Sequence, residues 1–396
     1  MSTTSSMAYE FVAPQRIVFG WGRRREIGGL GMALGRRCFV LCGSRKLAAR
    51  GSVEEIATAL RAAGIQPMEP EMVGREPEIG DVDRLAASIR RQGGGPGDFI
   101  LALGGGATID LGKAVAAMVT NHQSPTVRDY LEGIGRGLKL VNDPLPVLAM
   151  PTTAGTGAEA TRNAVISSHD PPVKKSLRDN RIMPRIALVD PELTVSVPPA
   201  VTAASGMDAI TQLIESYISR KAQPIPQALA LQGLRMAVPA LAEAVRDGTS
   251  RDAREKMAHA ALLSGMALAN SGLGMAHGVA AALGVHAGMA HGAACALMLP
   301  AALRVNAEVR QAELADLARL LYPLNPSVMP QQAVETLICE MEKLCDAVGV
   351  PRRLSQVGVR REQIPALVAD SRGSSMSGNP RELSDEQLAA ILEEML

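Results

Sequence analysis

An α/β unit built on a parallel sheet, followed by an all-helical unit, is the architecture predicted for this chain of 396 residues. Three observations carry that expectation. Short apolar runs alternate with helical patterns through the first half, the alternation stops after Pro191, and long Ala/Leu-rich amphipathic segments follow.

In order, RIVFG (16–20), RCFVLC (37–42), DFILAL (98–103), LPVLAM (145–150) and RIALVD (185–190) read as strands. They are nearly continuous apolar runs, as expected of strands covered on both faces of a parallel sheet. Between them SVEEIATALRAAG (52–64), DVDRLAASIRRQG (81–93) and TIDLGKAVAAMVT (108–120) repeat apolar residues at helical spacing. The glycine cluster QGGGPGD (92–98) precedes its strand, contains Pro96 and reads as a turn. A boundary is expected near VDPELTVSVPPA, dividing an α/β unit, 1–190, from a helical unit, 191–396. The helical unit includes PQALALQGLRMAVPALAEAVRDG, DAREKMAHAALLSGMALAN and PQQAVETLICEMEKLCDAVG.

Composition narrows the function. With 41 basic and 40 acidic residues and no long run of either sign, a nucleic-acid or anionic membrane surface is not expected. Apolar stretches are broken by Gly, His, Arg or Pro before reaching a span of about 18 residues, so no membrane segment is expected. The start, MSTTSSMAYEF, lacks the basic-then-apolar order of a secretory signal. Five cysteines without a CxxC pair point to a reduced, cytoplasmic setting. Beyond residue 150 the aromatic side chains are Tyr217 and Tyr322, so a pocket there is lined by Ala, Leu and Met and is poorly equipped to stack sugars or bases.

Three segments carry chemistry. FILALGGGATID passes from strand to helix through Gly104, Gly105 and Gly106, a place where backbone amides and a helix N-terminus suit a pyrophosphate. AMPTTAGTGAEATRNAVI (149–166) reads as a loop whose Thr152, Thr153, Thr156 and Asn163 can donate to a ligand at the carboxyl edge of the sheet. Third, Asp208 and Gln212 stand four apart on a helical run, and His277 and His291 stand fourteen apart. On one straight helix fourteen residues climb about 21 Å, so if both histidines bind one metal the chain must break between them. Gly284 and Gly288 are placed to break it. His122, His169 and His259 lack partners in the pattern and read as structural.

These motifs resemble the iron-containing, group III alcohol dehydrogenase family along almost the whole chain. The resemblance rests on GGGATID (104–110), PTTAGTGAEATRNAVI (151–166), VDPEL (189–193), GMDAITQLIESY (206–217) and the AHG repeats at 276–278 and 290–292. It implies a Rossmann-like domain, a helical domain, and a cleft between them for NAD or NADP and a divalent metal, iron first and zinc second. The implied metal set is Asp208, His277 and His291, with Gln212 where the family carries a histidine. An amide oxygen is a weaker donor than imidazole for such ions, so a looser site is expected. The implied cofactor set is Gly43, Ser44, Glu76, Gly104, Gly105, Gly106, Asp110, Thr152, Thr153, Thr156, Asn163 and Lys174, with Lys174 at the nicotinamide ribose. Gly43 stands where NAD-preferring members carry a ribose-binding Asp, and Ser44, Arg45 and Lys46 beside it favour a 2′-phosphate, while Glu76 opposes it. Ala281 replaces a further histidine of many members, and His286 is the candidate substitute if Gly284 bends the helix.

The expected activity is reversible, metal-assisted hydride transfer between a small aliphatic alcohol and its aldehyde or ketone, in a homodimer. Two alternatives accompany it: a metal-independent reductase resembling maleylacetate reductase, and a cofactor-binding protein whose catalytic site has decayed. A lyase resembling dehydroquinate synthase would need a more polar pocket than segment 275–299 provides.

Overall fold

The computed structural model describes residues 8–396. The stretch 1–11, read above for a secretory signal, begins in residues 1–7, outside the described residues.

Nine strands occur among the described residues: β1 (Arg16–Phe19), β2 (Arg37–Cys42), β3 (Gln66–Pro67), β4 (Glu71–Met72), β5 (Asp98–Gly104), β6 (Val147–Pro151), β7 (Asn163–His169), β8 (Pro172–Arg178) and β9 (Ile186–Val189). Seven form one parallel sheet in the order β1-β9-β6-β5-β2-β3, with β4 also on β2. Helices α1 (Ile27–Met32), α2 (Arg45–Ala49), α3 (Ser52–Ala62), α4 (Ile79–Arg91) and α5 (Gly106–Thr120) cover both faces. Alternation along β5 explains why both are needed: Phe99, Leu101 and Leu103 join the layer with α1 and α3, while Ile100 and Ala102 join the layer with α4 and α5. From β2 the chain first moves outward to β3 and β4 and then crosses to β5 on the other side. Such a reversal opens a crevice at the carboxyl ends of the two strands, here Gly43 and Gly104.

The stretch 149–166 is only partly the loop expected. From Asn163 it becomes β7, paired antiparallel with β8. The alternating burial of NAVISSH is the period of a half-buried strand, hidden in the sequence by its polar content. The hairpin is tied to α5 by Asp110, whose carboxylate accepts from the Val165 amide at 3.0 Å. Fully buried Lys113 pairs with Asp110 at 2.8 Å and donates to the carbonyls of Ala158 and Asn163 and to the Thr161 hydroxyl. Those bonds offset the cost of burying an ammonium and set the course of the loop.

After β9, Asp190 fastens the changeover. Its buried carboxylate accepts from the amides of Gly22, Arg24 and Glu192 and pairs with the Arg24 guanidinium at 3.0 Å. Thereafter the regular structure is helical: α6 (Pro199–Ile218), α7 (Pro224–Arg246), α8 (Arg251–Asn270), α9 (Met275–His286), α10 (His291–Leu321), α11 (Pro330–Ala347), α12 (Ile364–Asp370) and α13 (Asp385–Glu394). By length and composition α7 is apolar enough to cross a membrane, which the sequence reading did not anticipate. Its stripe Ala230, Gly233, Leu234, Ala237, Leu241 and Ala244 is buried, at the spacing of one helix face in a protein core.

The two units meet backbone to backbone. A Cβ on Gly157 would lie 2.5 Å from Gly265 Cα, and one on Gly265 would lie 2.1 Å from the Gly157 carbonyl oxygen. Gly157 also has φ +60°, a conformation glycine adopts without penalty. Gly265→Ala should therefore lower stability by about 1–3 kcal/mol, read as a drop in melting temperature. Gly29→Ala is the control, because nothing lies within 4 Å of a Cβ there and the site is helical. That variant should be neutral or slightly more stable.

Candidate metal centre and cofactor cleft

Helix α6 presents Asp208, Gln212 and Glu215, a spacing of four and then three residues that stacks them on one face. All three are 2–3 % exposed. Polar groups this deeply buried need partners, and each one's partners define its task.

Glu215 is fully engaged. One oxygen accepts from the Ala276 amide at 2.7 Å, and the other accepts from the Gly274 amide at 2.9 Å and meets His277 Nδ1 at 2.7 Å. The carboxylate therefore caps the N-terminus of α9, satisfying amides that have no intrahelical acceptor. The same contact fixes the His277 ring with Nδ1 toward Glu215 and Nε2 toward Asp208, 3.3 Å from Oδ1. Gly274 makes the approach possible, since a Cβ there would lie 2.8 Å from both Glu215 Oε1 and Asn379 Oδ1.

His291 comes from the next helix. The break falls at Ala287–Ala290, where Gly288 has φ +62°, and α10 begins at His291. Gly292 lets α10 settle on α6: a Cβ there would lie 2.2 Å from the Ala204 carbonyl oxygen. His291 Nε2 then stands 3.9 Å from Asp208 Oδ1, and its side chain is 39 % exposed, so the cluster opens on this side. Gly284 does not break the chain as expected; α9 runs straight through it. Its missing side chain instead makes room for Lys174, whose Nζ lies 3.3 Å from where a Cβ would be. With α9 unbroken, His286 faces away from His277 and pairs with Asp370 at 2.5 Å. It is not brought to the cluster, and the helix position one turn after His277 is the part-exposed Ala281.

Asp208 Oδ1, Gln212 Oε1 and His277 Nε2 are buried without any hydrogen-bond partner. Gln212 spends its Nε2 on the Gly155 carbonyl at 3.3 Å, which leaves the amide oxygen free. Ligand atoms of Asp208, His277, His291 and Cys295 all lie within 4.8 Å of one another. The unsatisfied Asp208 oxygen and His277 nitrogen, 3.3 Å apart within this group, are what a cation would satisfy, so the residues present fit a divalent metal. The electrostatics agree. Burial works against an ionised Asp208, yet the neighbouring His277 and His291 hold its pKa below the ordinary value. Burial also disfavours a charged His277, but Cys295, Asp208 and Glu215 outweigh it and raise the ring well above 6.5.

The crevice at the sheet edge gathers most of the remaining candidates. Gly104, Gly105 and Gly106 form the turn into α5, and their bare α-carbons admit neighbours: a Cβ on Gly105 would meet Thr153 Oγ1 at 3.2 Å and one on Gly106 would meet Thr156 Oγ1 at 2.5 Å. Two hydroxyls thus stand beside a helix N-terminus with free amides, an arrangement suited to phosphate. Thr152 is buried and its amide donates to the Gly104 carbonyl, so it extends the sheet ladder. Across the crevice a Cβ on Gly43 would lie 2.0 Å from Thr108 Oγ1, while Ser44 caps α2 by accepting from the Leu47 amide. Glu76 and Lys174 pair with each other at the mouth. Asp110 and Asn163 lie behind the turn, bonded to the hairpin and to Lys113.

The sequence reading missed three residues. Glu215 and Cys295 each continue the helix face of a residue already singled out, seven after Asp208 and four after His291. Glu159 gave no such signal. It is wholly buried, and burial raises its carboxyl from about 4.5 to about 7, against a lowering pull from its own backbone amide and Lys113. Because the folded chain holds this proton more tightly, the contribution to stability is fullest below about pH 4.5 and is lost as pH rises through about 7. Glu159→Gln removes that dependence. The variant should gain on the parent by up to about 3 kcal/mol between pH 5 and pH 8; a melting-temperature difference that does not change with pH would disprove the burial argument.

Two family models match, iron-containing alcohol dehydrogenase over residues 14–191 and the C-terminal region of the Fe-containing alcohol dehydrogenase family over residues 202–396. The 1,3-propanediol dehydrogenase of Klebsiella pneumoniae is 33 % identical over 389 residues, covering 97 % of each chain. A crystal structure of a 1,3-propanediol oxidoreductase superposes with a TM-score of 0.91 at 31 % identity, covering 98 % of this chain and 100 % of that one. The sulfoacetaldehyde reductase of Bifidobacterium kashiwanohense in complex with NAD+ superposes with a TM-score of 0.87 at 28 % identity, covering 98 % and 99 %. The chain belongs to the iron-containing alcohol dehydrogenase family and is an oxidoreductase of alcohols and their carbonyl partners.

Proposed function

We propose that this enzyme interconverts a short aliphatic alcohol and its aldehyde or ketone, using a nicotinamide cofactor in the crevice and a divalent ion held by Asp208, Gln212, His277 and His291. The observation that carries the reading is that Asp208 Oδ1 and His277 Nε2 are buried 3.3 Å apart without hydrogen-bond partners, with His291 Nε2 3.9 Å from the same oxygen. When bound, the ion supplies Lewis acidity toward a carbonyl or alcohol oxygen, and the cofactor supplies or accepts the hydride. The chain does the rest. Glu215 holds His277 at Nδ1 and so aims Nε2, and burial of Asp208 and His277 excludes water from that side. Exposure of His291 leaves the opposite side for substrate. Ala281 and Gly284 on α9 are part-exposed and carry no large or aromatic side chain, which suits small compounds; 1,3-propanediol, the substrate named for two similar proteins, is of that kind. The division of labour places the cofactor on residues 1–190 and the metal on residues 191–396. Homodimerisation through the open sheet edge at β1, where Ile17 is 37 % exposed, and a reducing cytoplasmic setting for the five free cysteines complete the reading.

For the cofactor, NADP is accepted alongside NAD. Gly43 leaves no space for a carboxylate against the ribose, because any Cβ there overlaps Thr108. Next to it Arg45 and Lys46 are exposed, and no ion pair engages either among the described residues. Glu76, which could have opposed a phosphate, is occupied by Lys174.

Purified protein should carry nearly one equivalent of metal, lose aldehyde-reducing activity on chelation and regain it with ferrous or zinc ions. Metal-free protein that still turns over would favour the metal-independent reductase, and cofactor binding with no turnover in any metal would favour a decayed site. Changing Arg45 and Lys46 together to Ala should lower kcat/KM for NADPH roughly tenfold relative to NADH, about 1.4 kcal/mol; an unchanged ratio would remove the case for the 2′-phosphate.

A further inference from the structure

The metal-ligating cluster contains one more donor than its resemblance to the family supplies. Cys295 lies on α10 one turn beyond His291, is fully buried, and places Sγ 3.7 Å from His291 Nε2. Its sulfur belongs to the group of four ligand atoms that lie within 4.8 Å of one another. Three of the six separations within that group are 3.3 Å for His277 Nε2 to Asp208 Oδ1, 3.9 Å for His291 Nε2 to Asp208 Oδ1 and 3.7 Å for the sulfur to His291, and the others are within 4.8 Å. Ligands at about 2.0–2.3 Å from an ion at tetrahedral angles stand roughly 3.3–3.8 Å apart. Small side-chain adjustments therefore suffice for the four to share one ion. Within the group, Asp208 Oδ1 and His277 Nε2 are buried without hydrogen-bond partners, a further sign that something cationic belongs there.

We infer that Cys295 is a direct ligand of the metal and that it compensates for Gln212. As the sulfur–metal bond forms, the thiol proton leaves to the buffer, and the thiolate takes the place that a third imidazole would have had as fourth ligand. Two consequences follow from the donor chemistry. Asp208 and a Cys295 thiolate together neutralise a divalent ion. A sulfur donor also makes the site softer, shifting selection from ferrous iron toward zinc and cobalt. Because Cys295 enters from the buried side, the exposed flank of His291 is still open to substrate.

The inference rests on the metal-centre reading above, and the test separates the two. Metal-free full-length protein is titrated with cobalt(II), which reports its ligands optically. Wild type should develop visible d–d bands and, with them, a near-ultraviolet thiolate-to-cobalt charge-transfer band. Cys295→Ser and Cys295→Ala should keep the visible bands, lose the charge-transfer band, bind cobalt at least tenfold more weakly and release one proton fewer per ion bound. Asp208→Ala should lose both sets of bands. Visible bands without the charge-transfer band in wild type, or a charge-transfer band that survives in both Cys295 variants, would overturn the ligand assignment while leaving the metal centre intact. No cobalt uptake by wild type, or uptake unaffected by Asp208→Ala, would overturn the metal centre and the Cys295 assignment together.

Discussion

The carboxylate of Glu215 is the contact on which the geometry of the centre depends. It receives two backbone amides at the start of α9 and the Nδ1–H of His277, all in a region from which water is excluded. Leaving those donors unpaired would cost about 1–3 kcal/mol each. Helix α9 is therefore held where it starts, and the first residue able to reach the metal point from it is His277. Asp208 lies on the same face of α6 as Glu215, so one helix both anchors α9 and supplies the two carboxylates that His277 meets.

Close backbone approach does the remaining positioning. Gly157 against Gly265 docks the threonine loop on α8, Gly292 against Ala204 sets α10 on α6, and Gly43 against Thr108 closes the end of β2 onto α5. Each contact is tighter than any side chain allows. Of these, the contact of Gly157 with Gly265 joins the α/β unit to the helical unit. Lys174 bridges the two units, reaching from the hairpin to Gly284 on α9.

The departures from the pattern the resemblance implies can be read in the same physical terms. Gln212 keeps a buried, unpartnered amide oxygen while its amide nitrogen holds the loop at Gly155. Ala281 removes bulk and polarity one turn from His277, and no residue on α9 restores them, since His286 is committed to Asp370 on α12. The cluster therefore has fewer basic groups on α9 than the family pattern implies.

Periodicity and punctuation in the sequence determined the architecture: five apolar runs became strands of the parallel sheet, and the change of pattern after Pro191 became the start of the helical unit. Local spacing also put Asp208 and Gln212 on one helix face, because helix geometry relates residues four apart whatever the fold. Long-range packing decided the rest. Whether His277 and His291 meet depends on which of two glycines ends a helix, and that choice was made by what packs there: Lys174 fills the space beside Gly284, while Gly288 adopts a left-handed turn. The roles of Glu215, Cys295 and Glu159 were likewise invisible, since a buried carboxylate or thiol acquires its function from partners dozens of residues away, and one sequence without its fold does not say which partners those are.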